Sequence, residues 1–290
     1  MYSNKLYTPL RYPGGKARFA PFIAQVMEEN GLTGGHYLEP YAGGAGVALE
    51  LLFHGHASHI HINDFDPAVN SFWRAVTEYP EELLKLLWDT PIDMNQWFRW
   101  RSVLRGEVEA TLVEQGFATL FMNRTNRSGI LKGGVIGGKD QAGSYKIDAR
   151  MKKDVLAARI KRIALHATNI TVYCEDAHQL LSRATEFLPK SSLIYLDPPY
   201  YVKGRGLYRN YYDHDDHLAI AKLLQARAFK LPWIVSYDAV TEIYDMYKLS
   251  KHLTYGLNYT AQTRYIGNEV MFFCRTLNTP QVYMPELSAA

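Results

Sequence analysis

The chain has 290 residues, of which 47% are hydrophobic and 21% are charged, so it can form one large domain or a core domain with an inserted lobe. No apolar stretch is long enough to span a membrane, and the first residues lack the apolar core of a signal peptide. This excludes a membrane as partner and makes a cytoplasmic location the expectation. The two cysteines, Cys174 and Cys274, lie in apolar segments typical of reduced core residues and not of metal ligands.

The first 65 residues alternate between helical and strand-like patterns. Apolar residues at helical spacing predict a helix over 17–29, and two short apolar runs predict strands over 36–39 and 58–63. A glycine-rich turn at 41–46 and a helix through Leu52 separate the two strands. This β-α-β unit implies that the two strands pair in parallel.

The sequence from about residue 66 onwards shows no strand alternation for a long stretch. Helical spacing predicts five helices, over 67–78, 81–88, 94–104, 109–122 and 155–165. A glycine-rich stretch over 129–143 interrupts them and predicts a loop or a hairpin. Trp97 and Trp100, three residues apart on one helix, are interpreted as core residues.

Basic charge is concentrated in this helical region. Residues 95–165 contain 14 Lys and Arg against 6 Asp and Glu, a net charge of +8 within a chain whose formal charge is only +3. Concentrated positive charge is typical of a surface that binds a polyanion, although a solvated helical face is also charged. The pattern therefore favours nucleic acid as a partner.

Strand and helix patterns alternate again after residue 169. The predicted elements are strands at 170–174, 193–196 and 233–236, helices at 177–188 and 217–225, and strand-like runs at 253–257 and 270–274. The separation of the last two runs suits an antiparallel hairpin. The simplest architecture is an α/β sheet domain interrupted by a helical, basic lobe.

The tetrapeptide Asp197-Pro198-Pro199-Tyr200 follows the apolar run 192–196. Because proline cannot donate to a sheet ladder, the double proline must end the strand and leave its neighbours at the carboxyl edge of the sheet, where open α/β folds bind ligands. The Asp197 carboxylate and the Pro198 carbonyl are two acceptors at one point, beside the flat ring of Tyr200. This combination suits the exocyclic amino group of a planar base, and an ordinary strand-to-turn corner is the plainer alternative.

The glycine-rich turn after the first strand is a second candidate ligand site. Glycines there let the backbone approach a ligand closely. Asp64 lies 21 residues after Gly43, at the end of the next strand, where a carboxylate can accept hydrogen bonds from ribose hydroxyls. The turn lacks a G-x-G-x-x-G pattern, so a nucleoside ligand without phosphate fits better than a nicotinamide cofactor. A tight structural turn with a capping Asp would explain the same residues.

Two further motifs carry weaker signals. In Arg11-Tyr12-Pro13-Gly14-Gly15-Lys16, a turn ahead of a helix can bring Tyr12 and Lys16 to the same sheet edge, although an exposed turn explains that motif taken alone. Four histidines, at positions 54, 56, 59 and 61, lack a second cluster of ligands. They are interpreted as structural, and no metal is expected.

Taken together, these motifs resemble the Dam-type, alpha-group (D12 class) adenine-specific DNA methyltransferases. The resemblance rests on the segments 12–16, 38–46, 63–64 and 197–200, which occur in the order of the family and cover nearly the whole chain. Two positions depart from the family pattern, since Ala45 stands at a usual glycine and Tyr12 at a frequent tryptophan.

The resemblance implies a class I methyltransferase fold: a Rossmann-like mixed sheet with a C-terminal antiparallel hairpin, formed by residues 1–72 and 166–290. Residues 73–165 would form an inserted, mainly helical target-recognition domain. S-adenosylmethionine would be the cofactor, and its expected contacts are Tyr12, Lys16, Glu39, Tyr41, Gly43, Asp64, Asp176 and Asp197. The catalytic residues would be Asp197, Pro198 and Tyr200, acting on an adenine flipped out of duplex DNA.

Six residues of the basic region are expected to contact DNA: Arg124, Asn126, Arg127, Lys132, Lys152 and Lys153. Arginine can bond guanine bidentately and asparagine can bond adenine, whereas lysines mostly contact phosphate. Two alternatives stay open at this stage: a DNA-binding module without activity, and methylation of another planar amine, such as RNA adenine or DNA cytosine. A cognate restriction endonuclease as partner is also left open.

Overall fold

The computed structural model describes residues 7–12, 16–202, 212–259 and 265–280, and for residues 257–259 and 265–267 it describes the backbone alone. The chain divides into two units. The first contains residues 16–65 and the chain from residue 175 onwards, and the second contains residues 66–174 and the segment that precedes Lys16. These units are divided at 65/66 and 174/175, whereas the domain boundaries predicted from the sequence are 72/73 and 165/166. The predicted Pro-Gly-Gly turn at 13–15 lies outside the described residues.

The secondary structure follows the predicted order closely. The helices are α1 (Ala20–Glu29), α2 (Gly46–Phe53), α3 (Pro67–Glu78), α4 (Pro80–Asp89), α5 (Met94–Leu104), α6 (Leu112–Thr125), α7 (Lys153–Ala164), α8 (Ala177–Ser182), α9 (Ala184–Phe187), α10 (His214–Gln225) and α11 (Thr241–Met246). The strands are β1 (Gly35–Glu39), β2 (Ala57–Asn63), β3 (Ile170–Tyr173), β4 (Ser192–Leu196), β5 (Trp233–Asp238), β6 (Lys251–Tyr259) and β7 (Tyr265–Phe273). The single helix predicted over 177–188 is two short helices, because Arg183 leaves the helical conformation between them.

Six strands of the first unit form a mixed sheet in the order β2-β1-β4-β5-β7-β6. The pairs β1/β2, β1/β4 and β4/β5 are parallel, whereas β7 is antiparallel to both β5 and β6. The predicted α/β fold with a C-terminal antiparallel hairpin is confirmed. Because four neighbouring strands are parallel, the residues at their carboxyl ends meet at one edge of the sheet.

The parallel strands are buried on both faces, which their sequences require. Every residue of β4 and β5 is buried, and β1 and β2 are nearly as well covered. The strands of a sheet that is covered by helices on both faces are typically such continuous apolar runs. Polar residues in these strands are thus exceptions that call for a function or a partner.

In the second unit, helices α3 and α6 pack at very short distance. A Cβ atom at Gly116 of α6 would lie 2.7 Å from the carbonyl oxygen of Ser71 and 2.8 Å from the Cβ of Ala75, both on α3. The Thr119 hydroxyl donates a hydrogen bond to the Ala68 carbonyl across the same seam, at 2.8 Å. Helix α3 therefore belongs to the second unit, although the predicted boundary at 72/73 divides it into two equal halves.

The segment 7–12 is bound to the second unit by reciprocal hydrogen bonds. The Arg11 amide donates to Asn123 Oδ1 at 2.7 Å, and Asn123 Nδ2 donates to the Arg11 carbonyl at 2.8 Å. Arg159 donates to the Thr8 carbonyl at 2.8 Å. These side chains satisfy backbone groups that no regular element pairs, which explains why the segment belongs with α6 and α7.

Trp97 and Trp100 lie in the core of the second unit, as predicted. Their exposed fractions are 2% and 1%, and the Trp100 ring packs edge-to-face against Phe117 at 4.8 Å between centroids. Within the described ranges, no helix combines the length and the apolar character needed to cross a membrane.

Candidate active site

The strand β4 delivers Asp197 to the carboxyl edge of the sheet. All five residues of β4 are buried, and Asp197 follows directly with 26% of its side chain exposed. Pro198 is buried again, so the chain turns at the prolines as expected. The carboxylate is therefore presented at an opening, between the ends of the neighbouring strands β1 and β5.

One oxygen of the Asp197 carboxylate is held by two groups. Ser236 Oγ, from β5, donates a hydrogen bond to Oδ1 at 2.9 Å, and Lys16 Nζ lies 3.5 Å from the same atom. The Tyr195 hydroxyl lies 3.0 Å from Ser236 Oγ and supports it from the core. Within the described part of the chain, no hydrogen bond reaches Oδ2. The arrangement orients the carboxylate and leaves its second oxygen available to a ligand.

Lys16 links Asp197 to the aromatic ring of the motif. Its Nζ donates to the Tyr200 hydroxyl at 2.5 Å and lies 4.9 Å from the centroid of the Tyr200 ring. The same ammonium lies 3.3 Å from Glu269 Oε2, on β7. The sequence prediction that Lys16 reaches the sheet edge thus agrees with the structure, and its nearest partners there are groups of the protein.

The charges around Lys16 determine the protonation of the site. Burial alone would lower the pKa of Lys16, but Asp197 and Glu269 outweigh burial and raise it, so the ammonium is charged at neutral pH. Burial raises the pKa of Asp197, Lys16 lowers it, and Glu269 raises it. Lys16 therefore favours the ionised form of a carboxylate that burial would otherwise tend to protonate.

Asp238 fixes the backbone that follows the motif. Its side chain is 2% exposed and accepts hydrogen bonds from the amides of Tyr201 at 2.9 Å and Val202 at 3.0 Å, one on each oxygen. A carboxylate that accepts two adjacent backbone amides holds their orientation tightly. The position of the Tyr200 ring is therefore defined from the backbone side as well as from Lys16.

The glycine-rich turn between β1 and α2 forms the neighbouring part of the edge. Glu39, the last residue of β1, accepts hydrogen bonds on Oε1 from the Ala48 amide of α2 at 3.0 Å and from the Tyr37 hydroxyl at 3.1 Å. Glu39 is 5% exposed, and burial raises its pKa to about 8 despite these two bonds. At neutral pH this carboxyl group holds a proton in the structure described.

Asp64 closes the turn from the end of β2. The Gly43 amide donates to Asp64 Oδ2 at 3.0 Å, which joins the two residues predicted to bind a nucleoside. Gly43 and Ala45 both adopt positive φ angles of 47°. The left-handed conformation of Ala45 explains why a glycine is usual at this position, since a Cβ atom is unfavourable there.

The remaining residues expected at the cofactor have other partners in the protein. The Tyr41 hydroxyl donates to the Tyr212 hydroxyl at 3.2 Å. Asp176 caps α8 by accepting from the amides of His178 and Gln179 at 2.9 and 3.1 Å. Tyr12 is half-buried and belongs to the second unit. The structure thus brings Lys16 to Asp197 and Tyr200, and Gly43 to Asp64.

The model of one protein family matches most of this chain. The D12 class N6 adenine-specific DNA methyltransferase family matches residues 12–261. The chain belongs to this family. Its matched range covers most of both units and includes the segments 12–16, 38–46, 63–64 and 197–200.

A curated relative of this D12 class chain is the Type II methyltransferase M1.LlaDCHI of Lactococcus lactis subsp. cremoris. It is 24% identical over 198 residues, which cover 66% of this chain and 64% of the relative. The chain thus spans slightly less than two thirds of the length of that relative.

Two solved structures are also similar to the D12 class chain. One is a protein proposed to be an RNA methyltransferase from Pyrococcus horikoshii, with 11% identity, a TM-score of 0.40, and coverage of 93% of this chain and 87% of that chain. The other is a protein proposed to be a class I S-adenosylmethionine-dependent methyltransferase from Listeria monocytogenes, with 10% identity, a TM-score of 0.39, and coverage of 99% and 67%.

Two of the residues expected to read DNA bases in this D12 class protein are internal, which corrects that expectation. Arg124 is 8% exposed, and its Nε donates to the Pro9 carbonyl at 2.7 Å, as does its Nη2. Asn126 is fully buried, and it accepts from Trp97 Nε1 at 2.8 Å and donates to the carbonyls of Ile130 and Leu131 at 3.0 Å. Both side chains are buried and use hydrogen-bonding groups to hold their own unit together, and for Asn126 these bonds engage both the oxygen and the nitrogen of the amide.

Lys153 uses its ammonium to cap a helix. Its Nζ donates to the carbonyls of Trp88 at 2.9 Å and Thr90 at 2.8 Å, at the carboxyl end of α4. In contrast, Arg127, Lys132 and Lys152 are exposed. Their contact with DNA, and that of the half-buried Lys153, stays a prediction.

Three residues of the site escaped the sequence analysis: Ser236, Asp238 and Glu269. Asp238 ends β5 at the same edge as Asp197 and Asp64, so an acidic residue at a strand end was a usable signal. Ser236 and Glu269 lie inside strands, and the local sequence pattern does not predict which side chains they contact.

Three of the four clustered histidines, His54, His59 and His61, contact another histidine or an acidic side chain. His36 Nδ1 and His61 Nε2 are 3.0 Å apart, and His54 pairs with Glu50 at 3.3 Å. Burial lowers the pKa of His61 to about 3. Over the described ranges, no three or more His, Cys, Asp or Glu side chains are arranged to hold a metal ion.

Proposed function

We propose that this chain transfers a methyl group from S-adenosylmethionine to the exocyclic amine of an adenine in duplex DNA. The observation that carries the proposal is the carboxyl edge of the sheet, where Asp197 is held by Ser236 and Lys16 beside the Tyr200 ring. Membership of the D12 class family supports adenine in DNA as the substrate. The net positive charge of residues 95–165 supports a polyanionic partner.

The residues of the edge fit the proposed cofactor. S-adenosylmethionine supplies an electrophilic methyl group on a positively charged sulfonium when it is bound. The glycine-rich turn offers backbone without large side chains, and Asp64 beside it offers a carboxylate for ribose hydroxyls. Asp176 and Asp197 add acidic groups that suit a cationic ligand, and the resemblance adds Tyr12, Lys16, Glu39 and Tyr41.

Asp197 would act directly on the amine. The lone pair of an adenine amino group is delocalised into the ring, so the nitrogen is a weak nucleophile. Hydrogen bonds from the amino protons to Asp197 Oδ2 and to the Pro198 carbonyl would favour a tetrahedral nitrogen and localise its lone pair toward the methyl group. Asp197 then stabilises the positive charge that the nitrogen acquires as the methyl group leaves the sulfonium sulfur, which would keep the electrons of the broken bond, and the nitrogen would then lose one proton to solvent.

Tyr200 would hold the base in place for this transfer. A base inside a duplex cannot reach the sheet edge, so it must leave the stack, and an aromatic ring replaces its lost stacking contacts. Lys16 and Asp238 fix that ring from the hydroxyl side and from the backbone side. Transfer in line from the sulfonium then depends on orientation, without a covalent enzyme intermediate.

The second unit would hold the DNA. Its exposed cations Arg127, Lys132 and Lys152 are the proposed contacts, with the lysines on phosphates and Arg127 on a base. Likeness to a Type II methyltransferase suggests a cognate restriction endonuclease as a partner. The proposed place of action is the cytoplasm, where DNA and cofactor occur together.

A methyl-transfer assay tests the proposal. Purified chain is incubated with labelled S-adenosylmethionine and duplex DNA, and the digested nucleosides are separated by mass spectrometry. N6-methyladenine is the expected product. Methylated cytosine, or faster transfer to an RNA of the same sequence, would mean that another planar amine is the substrate. DNA binding without any transfer would mean that the chain is a binding module. Methylation-sensitive sequencing of DNA from expressing cells then identifies the recognition site.

A further inference from the structure

Glu269 is a buried carboxylate that the proposed mechanism does not use. It lies on β7, in register with Asp238 of β5 and Tyr255 of β6, and its side chain is completely buried. Its Oε2 accepts a hydrogen bond from the Tyr255 hydroxyl at 2.9 Å and lies 3.3 Å from Lys16 Nζ. A buried carboxylate is strongly unfavourable without a charged partner, and the Lys16 ammonium is such a partner.

The Lys16 ammonium lies close enough to two carboxylates, Asp197 and Glu269, to pair with either. It lies 2.5 Å from the Tyr200 hydroxyl, 3.3 Å from Glu269 and 3.5 Å from Asp197. A lysine ammonium is a compact charge on a flexible stem, so the balance of its partners decides where it lies. With Glu269 present, Asp197 is the most distant of the three. Without the charge of Glu269, Asp197 is the remaining carboxylate of the cluster and would attract the ammonium directly.

A close pair between Lys16 and Asp197 would harm the proposed reaction in two ways. The ammonium would occupy acceptor sites of the carboxylate that the adenine amine needs, and it would leave the hydroxyl that fixes the stacking ring. We propose that Glu269 is a positioning residue for methyl transfer, which holds the Lys16 ammonium against Tyr200 and at its present 3.5 Å distance from Asp197 Oδ1, so that it does not close on the carboxylate. This inference rests on the proposed function, because only there do Asp197 and Tyr200 act on a substrate.

The first test compares variants of Glu269 in single-turnover methyl transfer. Glu269→Gln keeps the size of the side chain and an acceptor for Tyr255 but removes the charge. The rate is expected to fall about 10- to 100-fold, as for a small misplacement of reacting groups, while KM for S-adenosylmethionine and for DNA stays within about twofold. Glu269→Asp keeps the charge and is expected to recover part of the rate.

The matched control is Glu50→Gln. Glu50 is another buried carboxylate of the first unit, on α2, and it pairs with His54 outside the proposed site. This control should keep the full rate. A wild-type rate for Glu269→Gln overturns the inference, as does a loss that Glu269→Asp does not reduce and that follows lowered thermal stability.

The second test asks whether Glu269 acts through Lys16. Glu269→Gln is introduced into the Lys16→Met background, and the two rate losses are compared as a double-mutant cycle. Because Lys16→Met already removes the group that Glu269 positions, no further loss of rate is expected. An equal further loss in both backgrounds would mean that Glu269 works independently of Lys16, which overturns the inference.

Crystal structures of the wild type and of Glu269→Gln provide a readout that needs no activity. The distance from Lys16 Nζ to Asp197 is expected to shorten from 3.5 Å to about 2.8 Å in the variant, the length of a charge-assisted hydrogen bond. If the wild type methylates DNA but Lys16 stays on Tyr200 in the variant, the inference alone fails. If Lys16 moves as expected but no chain methylates DNA, the proposed function fails.

Discussion

Two buried cations of this chain, Lys16 at the sheet edge and Arg124 in the second unit, have opposite surroundings. Lys16 lies among two carboxylates and a hydroxyl, beside an acceptor that is partly exposed. Arg124 donates to the carbonyl of Pro9, and burial together with Arg159, Arg11 and Arg150 lowers its pKa to about 9. Arg124 is thus held by a neutral backbone carbonyl and repelled by the positive charges of neighbouring arginines.

The difference teaches how to interpret a buried charge. An ion whose partners are other charges at an opening can change the protonation and orientation of a group that meets a ligand. An ion whose partner is a backbone carbonyl satisfies that carbonyl and fixes a segment in place. Substitutions at the two sites should therefore fail in different assays, one in chemistry and the other in folding.

The largest effect is expected for Asp197→Ala. Turnover should fall by about 10²- to 10⁴-fold, the usual contribution of a group that assists proton movement, because no other side chain in the described ranges holds that acceptor position. The free energy of unfolding and the affinity for DNA should be unchanged, since the proposed phosphate contacts, Lys132 and Lys152, lie in the second unit. Methyl-transfer rates and DNA titration measure both, with Asp154→Ala, an exposed carboxylate of α7, as control. Turnover comparable to the control would refute the catalytic role.

Arg124→Ala and Arg127→Ala should separate folding from recognition. Loss of the Arg124 bonds to Pro9 is expected to lower the free energy of unfolding by about 1.5–3 kcal/mol. Arg127→Ala, at an exposed position, should change it by less than about 0.5 kcal/mol. It should instead reduce discrimination between cognate and scrambled duplexes by about 1–3 kcal/mol. Chemical denaturation and DNA binding measure the two quantities, and the reverse pattern would contradict the assignment of Arg124 as structural.

Asp64→Ala should weaken binding of S-adenosylmethionine by about 1–3 kcal/mol, because it removes a charged acceptor from beside the glycine-rich turn. Calorimetry on the purified variant measures the loss. The control is Asp66→Ala, which removes the cap of α3 and should change stability without changing affinity for the cofactor. Unchanged affinity in Asp64→Ala would reduce Asp64 to a structural partner of Gly43.

The smallest effects are expected for two adjacent lysines. Lys152→Ala should leave stability unchanged and reduce the slope of DNA affinity against salt by about 1, the contribution of one phosphate contact. Lys153→Ala should lower the free energy of unfolding by about 0.3–1 kcal/mol, because its ammonium caps the carboxyl end of α4. A salt series and denaturation curves distinguish them. Identical behaviour of the two variants would contradict the assignment of Lys152 as a phosphate contact and of Lys153 as a helix cap.

The sequence predicted best where a local pattern and the chain topology agree. The β-α-β unit, the antiparallel hairpin and the position of Asp197 at the end of β4 follow from apolar periods, prolines and glycines. Such signals are local. Once the strands are known to be parallel, it follows that their carboxyl ends lie at the same edge of the sheet.

The partners of single side chains could not be predicted in the same way. Glu269 is separated from Lys16 by most of the chain, and its local pattern shows only a polar residue beside an apolar run. The residue types of Arg124 and Asn126 suit DNA bases. In the structure, however, Arg124 donates to the segment 7–12 and Asn126 donates to the loop after α6. Residue type indicates what a side chain can bond, and only packing determines what it does bond.

The seam between α3 and α6 has a consequence for the living cell. Because a side chain at Gly116 would meet the backbone of Ser71, even alanine must push the two helices apart. Such a change weakens folding while leaving every residue at the sheet edge in place. In a cell, Gly116→Ala would therefore act as a temperature-sensitive allele: the chain would modify its target at low growth temperature and lose that ability on warming, through unfolding alone.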